Sequence, residues 1–323
     1  VNVKTYILGR YRHDQTSRNE RYRLCCPFCA HSDNKFYIDF SFNFFWCYHC
    51  RTKGSLQYFI TALHKEISVR DLEFAHTRVI DFKSLADKKR ADLPEGFKYI
   101  SKDIKHDIFT MKYVQYFMSR GFDYEFMIKT RVGFSPVMSS YLIFPVFNEI
   151  GEYVYWTSRY IGDGDFEKTM NPKYVEGTYT KNDVLYNINR ALHSNTVYLV
   201  EGVFDCLSLH ALKYNAVASL GKEPSDMQIN MLVRMFDNII VCYDGKALSD
   251  TLDAAEKIYN AGKRAHICIL PADEKDDPND LYLNGSIQNY LKNTIEFSKA
   301  LKIRLLLEAR KKSNYFEKRL KKA

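Results

Sequence analysis

Between residues 196 and 281 the chain alternates apolar runs with acidic or glycine-bearing turns and with stretches of helical periodicity. The runs cover residues 196–200, 215–220, 238–243 and 264–270, and helical segments begin near Val203, Ser225 and Ser249. This rhythm predicts a small parallel α/β unit with right-handed crossovers and helices on both faces of the sheet. Upstream, residues 35–40 and 43–46 alternate like the strands of a small ribbon. A helical stretch over 110–120 stops at Gly121, and two antiparallel strands are expected around a turn at 148–151. The first 24 residues are polar and basic and read as a short helix and a loop. Residues 63–93 are charged and read as a helix or two grading into a linker, closed by the break Leu93-Pro94-Glu95-Gly96. The expected organisation is 1–62 as a ribbon domain, 63–93 as linker, 94–190 as a mixed α+β subdomain, 191–290 as the parallel α/β core and 291–323 as a tail. Residues 299–323 hold ten Lys or Arg against two Glu, which reads as a helix whose cations complement its dipole.

Acids follow the runs of the α/β unit: Glu201-Gly202, Asp244-Gly245 and Asp276-Asp277-Pro278-Asn279-Asp280. Parallel strands end on one edge, where open α/β sheets place their ligands, so these side chains are expected to converge in one crevice. Acid, glycine and proline also favour ordinary turns. Three such clusters at equivalent strand ends point instead to an oxygen-rich site suited to Mg²⁺ and phosphate.

Cys26 and Cys29 are spaced C-x-x-C, and after seventeen residues Cys47 and Cys50 repeat that spacing. Each turn can present two thiolates to one ion, and two turns complete a closed tetrahedral Zn²⁺ site of structural type. His31 and His49 are near enough to compete, but the cysteine set is complete without them. A ribbon this short needs the metal to fold. Half of its aromatic residues are expected inside.

At 323 residues, with 46% hydrophobic and 27% charged positions, the chain has material for two or three domains. The formal charge of +8 is compatible with a polyanionic partner without requiring one. No apolar run approaches membrane-spanning length and no secretory leader pattern opens the chain, so a cytoplasmic location is expected. In that setting eight cysteines read as metal ligands or buried thiols rather than disulfides. No GxxxxGK[ST] loop occurs, and helicase activity is not expected of this polypeptide.

The pieces VYLVEGVFDCLSLHAL, AVASLG, IIVCYDGKAL and DPNDL resemble, in order and spacing, the TOPRIM domain of bacterial and phage DNA primases of the DnaG type. CPFC, the aromatic ribbon, WCYHC and Lys53-Gly54 resemble that family's zinc-binding domain. KYVQYFMSRGFDYEFMIKTRVGFSP and NPKYVEGTYTKNDVLYN resemble its polymerase core. The resemblance spans roughly residues 20–285. It implies metal-holding acids at Glu201, Asp244, Asp277 and Asp280. It also implies a basic surface for template and nucleotide at Arg159, Lys173, Tyr174 and Lys181, beside Leu185-Tyr186. In the ribbon it implies template contacts at exposed residues such as Lys35, Tyr37, Phe45, Trp46 and Arg51. The second aspartate of the family's DxD turn falls on Lys246, a positive charge in place of a ligand, and Asp250 lies six residues after Asp244.

The expected activity is a DNA primase that makes short RNA primers on single-stranded DNA by Mg²⁺- or Mn²⁺-dependent nucleotidyl transfer. A structural Zn²⁺ and, as partners, a replicative helicase and single-strand-binding protein would accompany it. The compactness suits a phage source. The rivals are a TOPRIM nuclease or topoisomerase-like enzyme, of which a topoisomerase would need a nucleophilic tyrosine outside the α/β unit, and a non-catalytic template-binding protein.

Overall fold

The computed structural model describes residues 2–16, 20–40, 44–50, 52–68, 71–72, 88–102, 108–191, 194–272 and 277–320. The chain divides into two compact units, Val1–Phe82 and Lys83–Ala323.

In the first unit β1 (His13–Gln15), β2 (Arg21–Leu24), β3 (Phe36–Asp39), β4 (Phe44–Cys47) and β5 (Lys53–Ser55) form one antiparallel sheet in sequence order. Helices Val3–Leu8 and Leu56–Leu63 accompany it. Strand alternation turns Leu24, Phe36, Ile38 and Phe45 inward against Phe59, and Phe28 stacks on Phe45 with ring centroids 5.3 Å apart. The sheet is larger than the expected ribbon. The loop anticipated before residue 24 instead supplies β1 and β2. Its signal was the alternation Arg21-Tyr22-Arg23-Leu24, in which Tyr22 and Leu24 are buried and Arg21 pairs at 2.9 Å with the buried Asp39.

Residues 88–92, the first described residues of the second unit, lie inside the stretch read as linker and are hydrogen-bonded to the rest of the unit. Ala91 N donates to Val154 O at 3.0 Å and the Trp156 indole donates to Asp92 O at 2.8 Å. A four-stranded sheet follows, in the order β6 (Lys98–Tyr99), β7 (Gly133–Phe134), β8 (Tyr141–Phe147) and β9 (Tyr153–Tyr160). Helices Ile108–Ser119 and Tyr124–Thr130 belong to the same subdomain, and Gly121 takes a φ of +90° just after the first of them. The β8–β9 hairpin turns where expected, closed by Asn148 N donating to Glu152 O at 2.9 Å, with Gly151 at a φ of +81°.

The remaining strands are β10 (Thr196–Val200), β11 (Ala216–Ala218), β12 (Asn238–Val241), β13 (Arg264–Ile267) and β14 (Ile295–Glu296). They lie in the order β11-β10-β12-β13-β14, the first four parallel and β14 antiparallel at the edge. The intervening helices are Val203–Ala211, Asp226–Met235 and Leu248–Asn260. Ser225 caps the second through a reciprocal box with Gln228. The two sheets share one core: Phe144 of β8 meets Phe204 edge-on at 5.4 Å, and both join the cluster that holds Tyr198 and Ile240. The tail is a helix, Lys299–Leu320, fixed at its start by Lys302 bonding Glu256 at 2.7 Å and also reaching Asp253. Among the described residues no helix is long and apolar enough to cross a membrane.

Candidate active site and metal centre

Because β10 lies between β11 and β12, the turns that follow these strands sit side by side at one sheet edge. Glu201 follows β10 and Asp244 closely follows β12; both are half-buried. Glu201 Oε1 and Asp244 Oδ1 are shielded from solvent and have no hydrogen-bond partner. Burial first, then the Asp244 charge and that of Asp250, push the Glu201 carboxyl up to about 7. Burial and then Asp277 raise Asp244, with Asp280 adding to the effect. Asp277 caps the helix Pro278–Leu283 by accepting from Asp280 N at 2.6 Å. Charge interactions thus link Asp244 to Glu201 on one side and to Asp277 and Asp280 on the other, while Asp276 lies outside the described residues.

Carboxylate oxygens left without donors in a partly desolvated pocket are costly, and a hard cation relieves that cost. On this ground the residues fit a divalent ion such as Mg²⁺.

Backbone contacts fix the turns. A Cβ at Gly245 would run into the Pro271 carbonyl, which brings the chain after β13 hard against the Asp244 turn. Gly202 N donates to Asp205 Oδ2 at 3.0 Å. Asp205 was not singled out from the sequence, although it stands one helical turn after Glu201. It is buried, and burial followed by the charges of Asp277 and Asp244 raises it well above the usual carboxylate range. Lys222 was also passed over, and its ammonium acts against the upward shifts of both Glu201 and Asp244. A third omission is Arg120, whose guanidinium lies 5.0 Å from the Phe204 ring centroid while its Nε is buried without a partner. Its sequence signals were its place at the end of a helix and the Arg120-Gly121 pair inside the stretch that resembles the polymerase core.

The basic positions are less concentrated. Lys246 is exposed on the short turn after Asp244. Arg159, on β9, donates from Nε to the Tyr116 hydroxyl at 3.1 Å. Lys173 lines a cleft of about 840 Å³ with Lys89, Arg90, Met138, Trp156 and Met170. Tyr174 is 75% exposed, and Lys181 is exposed with its carbonyl accepting from Gln228. Leu185 and Tyr186, expected beside a surface, are instead buried in the core.

In the first unit β2 leads into the Cys26–Cys29 turn, and Cys47 at the end of β4 opens the Cys50 turn. The pairing Leu24↔Phe36↔Cys47 places both turns at one end of the sheet. The four sulfur atoms lie within 4.8 Å of one another, the only such compact group of potential metal ligands among the described residues. Burial pushes the Cys26 and Cys47 thiols up. At Cys50 the same effect is outweighed by hydrogen bonds involving Thr52 and neighbouring thiols, which bring it down to about 6. Four thiols crowded this way fit a soft or borderline cation in tetrahedral geometry. His49 Nδ1 lies 3.6 Å from the Cys29 sulfur, with the His31 ring 3.8 Å away between centroids.

On the sheet surface Tyr37 and Trp46 stack at 5.1 Å with Arg21 over the indole, and Tyr48 is exposed. Phe45, expected among the exposed template contacts, is fully buried, because alternation along β4 turns it inward. Lys35 is exposed and ion-paired with Asp33, and Arg51 lies outside the described residues.

Fold and acidic crevice together define a Toprim-like domain, and residues 198–282 match the family model described as Toprim-like. Beyond that domain, similarity to DNA primases runs along most of the chain, and the resemblance to the DnaG type stands. The DNA primase of Buchnera aphidicola subsp. Baizongia pistaciae is 25% identical over 93% of this chain and 61% of its own length. That of Rickettsia typhi is 25% identical over 87% and 55%. The Clostridium acetobutylicum DNA primase is 32% identical over 45% of the chain and 25% of its own length. The chain thus spans at most about three fifths of these relatives. Among solved structures, the zinc-binding and RNA polymerase domains of the Aquifex aeolicus primase match with a TM-score of 0.52 and 19% identity, over 92% of this chain and 84% of that one. A DnaG primase catalytic domain bound to single-stranded DNA matches at 0.55 and 21% identity, over 63% and 78%. These likenesses establish the fold.

Proposed function

We propose that the chain is a DNA primase that joins ribonucleotides into short RNA primers on single-stranded DNA. The observation that carries the reading is the pair of donor-less carboxylate oxygens on Glu201 and Asp244 at the carboxyl edge of a parallel sheet. Its support is the similarity to DNA primases over most of the chain.

In this reading Glu201 and Asp244 hold one essential Mg²⁺ or Mn²⁺, with Asp277 and Asp280 adding negative charge around it. Such an ion, when bound, offsets charge on the α-phosphate and on the departing pyrophosphate. The 3′-hydroxyl oxygen of one ribonucleotide bonds to the α-phosphorus of the next, the bond to pyrophosphate breaks and the hydroxyl proton is released. Asp205, bonded to Gly202 N, orients the Glu201 turn. Arg159, Lys173, Tyr174 and Lys181 contact template or triphosphate, and Lys246 contacts a phosphate oxygen or marks a weakened second ion site. Cys26, Cys29, Cys47 and Cys50 hold one structural Zn²⁺, and the Tyr37–Trp46 face stacks on template bases. A replicative helicase and a single-strand-binding protein are the expected partners.

The test incubates the chain with single-stranded template, labelled ribonucleotides and Mg²⁺ or Mn²⁺. Short RNA that disappears in Glu201→Gln supports the reading. Cut DNA points to a nuclease, and neither product points to a template-binding protein.

A further inference from the structure

The loop after β11 carries a lysine that the assigned site does not use. Its course is fixed from several sides. Ser219 N donates to Val200 O at 3.0 Å, which ties the loop to the strand that delivers Glu201. The Ser219 hydroxyl donates to Gly221 O at 2.7 Å and lies 3.5 Å from the hydroxyl of Tyr243, the residue before Asp244. Buried Gln228 donates to Ser219 O at 2.8 Å. Leu220 takes a φ of +59°, the left-handed conformation that turns the chain sharply. Beyond the lysine, Glu223 is paired with Lys257 at 2.9 Å and Lys257 also bonds Pro224 O. Lys222 thus stands exposed on a braced turn, and its charged neighbour Glu223 is already engaged elsewhere.

The sheet order places this turn on one side of Glu201 and the Asp244–Lys246 turn on the other. Turns two strands apart are separated by roughly 10 Å, about the reach of an extended triphosphate. We propose that Lys222 binds the β- and γ-phosphates of the incoming nucleoside triphosphate, and the pyrophosphate it leaves, on the wall of the crevice opposite Lys246. This rests on the primase reading and adds to it a polyphosphate subsite on the β11 side. Its electrostatic nearness to Glu201 and Asp244 agrees with the placement. A cation on a rigid loop favours an anion arriving between the two turns without itself contacting the α-phosphate.

The test compares the full chain with Lys222→Ala and Lys222→Arg, titrating inorganic pyrophosphate, a nucleoside triphosphate with a non-cleavable α,β-methylene link and the matching monophosphate. In Lys222→Ala, affinity for pyrophosphate and triphosphate should fall about tenfold or more while the monophosphate is unaffected, and Lys222→Arg should restore most of the loss. Primer synthesis should show a raised KM for nucleotide with a smaller change in kcat. Unchanged polyphosphate affinity, or an equal loss for all three ligands, overturns the subsite. If the unaltered chain makes primers and Lys222→Ala binds polyphosphate normally, the subsite alone fails. If the unaltered chain neither binds triphosphate nor makes primers, the primase reading fails with it.

Discussion

Glu201→Gln should stabilise the metal-free protein while it abolishes primer synthesis. Folding lifts the Glu201 carboxyl from its ordinary 4.5 to about 7, chiefly through burial and then through Asp244. A carboxyl raised on folding holds its proton more tightly in the native state, so stability falls as pH climbs from the ordinary value through about 7. The full rise corresponds to about 3.4 kcal/mol, and partial exposure screens this to about 1–2 kcal/mol. For a unit of this size the change amounts to about 2–8 °C in Tm. Thermal unfolding in a chelator at pH 5 and pH 8 measures it. The Gln variant should melt higher than the parent at pH 8 and match it at pH 5, where Glu201 is largely protonated. Saturating Mg²⁺ at pH 8 should then raise the parent far more than the variant. Equal pH dependence in the two proteins, or equal stabilisation by Mg²⁺, would refute the carboxylate centre.

Three further outcomes follow from the site. Cys47→Ser should lose the one zinc per chain and unfold the first unit while the second melts as before; full zinc content together with intact template-dependent initiation would count against the assignment. Removing Arg159 and Lys173 together by alanine should weaken DNA binding and reduce the slope of log affinity against log salt by about 1.4, two phosphate contacts' worth on single strands. An unchanged slope and unchanged nucleotide affinity would remove both residues from the interface. Lys246→Asp, at an exposed position, should shift stability by less than about 0.5 kcal/mol and retain primer synthesis with half-saturation at a lower divalent-ion concentration; an unaltered ion dependence would place Lys246 outside the centre.

The parallel sheet was legible because each run alternated with a helix of opposite periodicity. The start of β10 matches to the residue, and the helix expected to begin near Ser225 does so, with Ser225 as its cap. The thiol cluster was legible because its ligands lie in two local pairs that need only one strand register to meet. Other features depend on contacts that spacing cannot carry. Asp205 reads as an ordinary first-turn helix acid until the fold buries it within range of the Asp277 and Asp244 charges. Lys222 gains meaning only when β11 is known to flank β10. Residues 88–92 looked like linker because their ties to β9 run mainly through the backbone, which composition does not record. Leu185-Tyr186 sat beside a surface motif yet turned inward, since an antiparallel bridge from Tyr186 to Ala218 places them at the parallel sheet.

The close approach of Gly245 to Pro271 separates two properties of the turn that carries Asp244. Position 245 admits no side chain without displacing backbone, whereas position 246, one residue on, is exposed. The shape of the crevice and its net charge can therefore drift independently under mutation. Under the proposed reading, in which Lys246 borders the ion site, a lineage could exchange acid for base at 246 and so retune how many cations the crevice favours without passing through a misfolded intermediate.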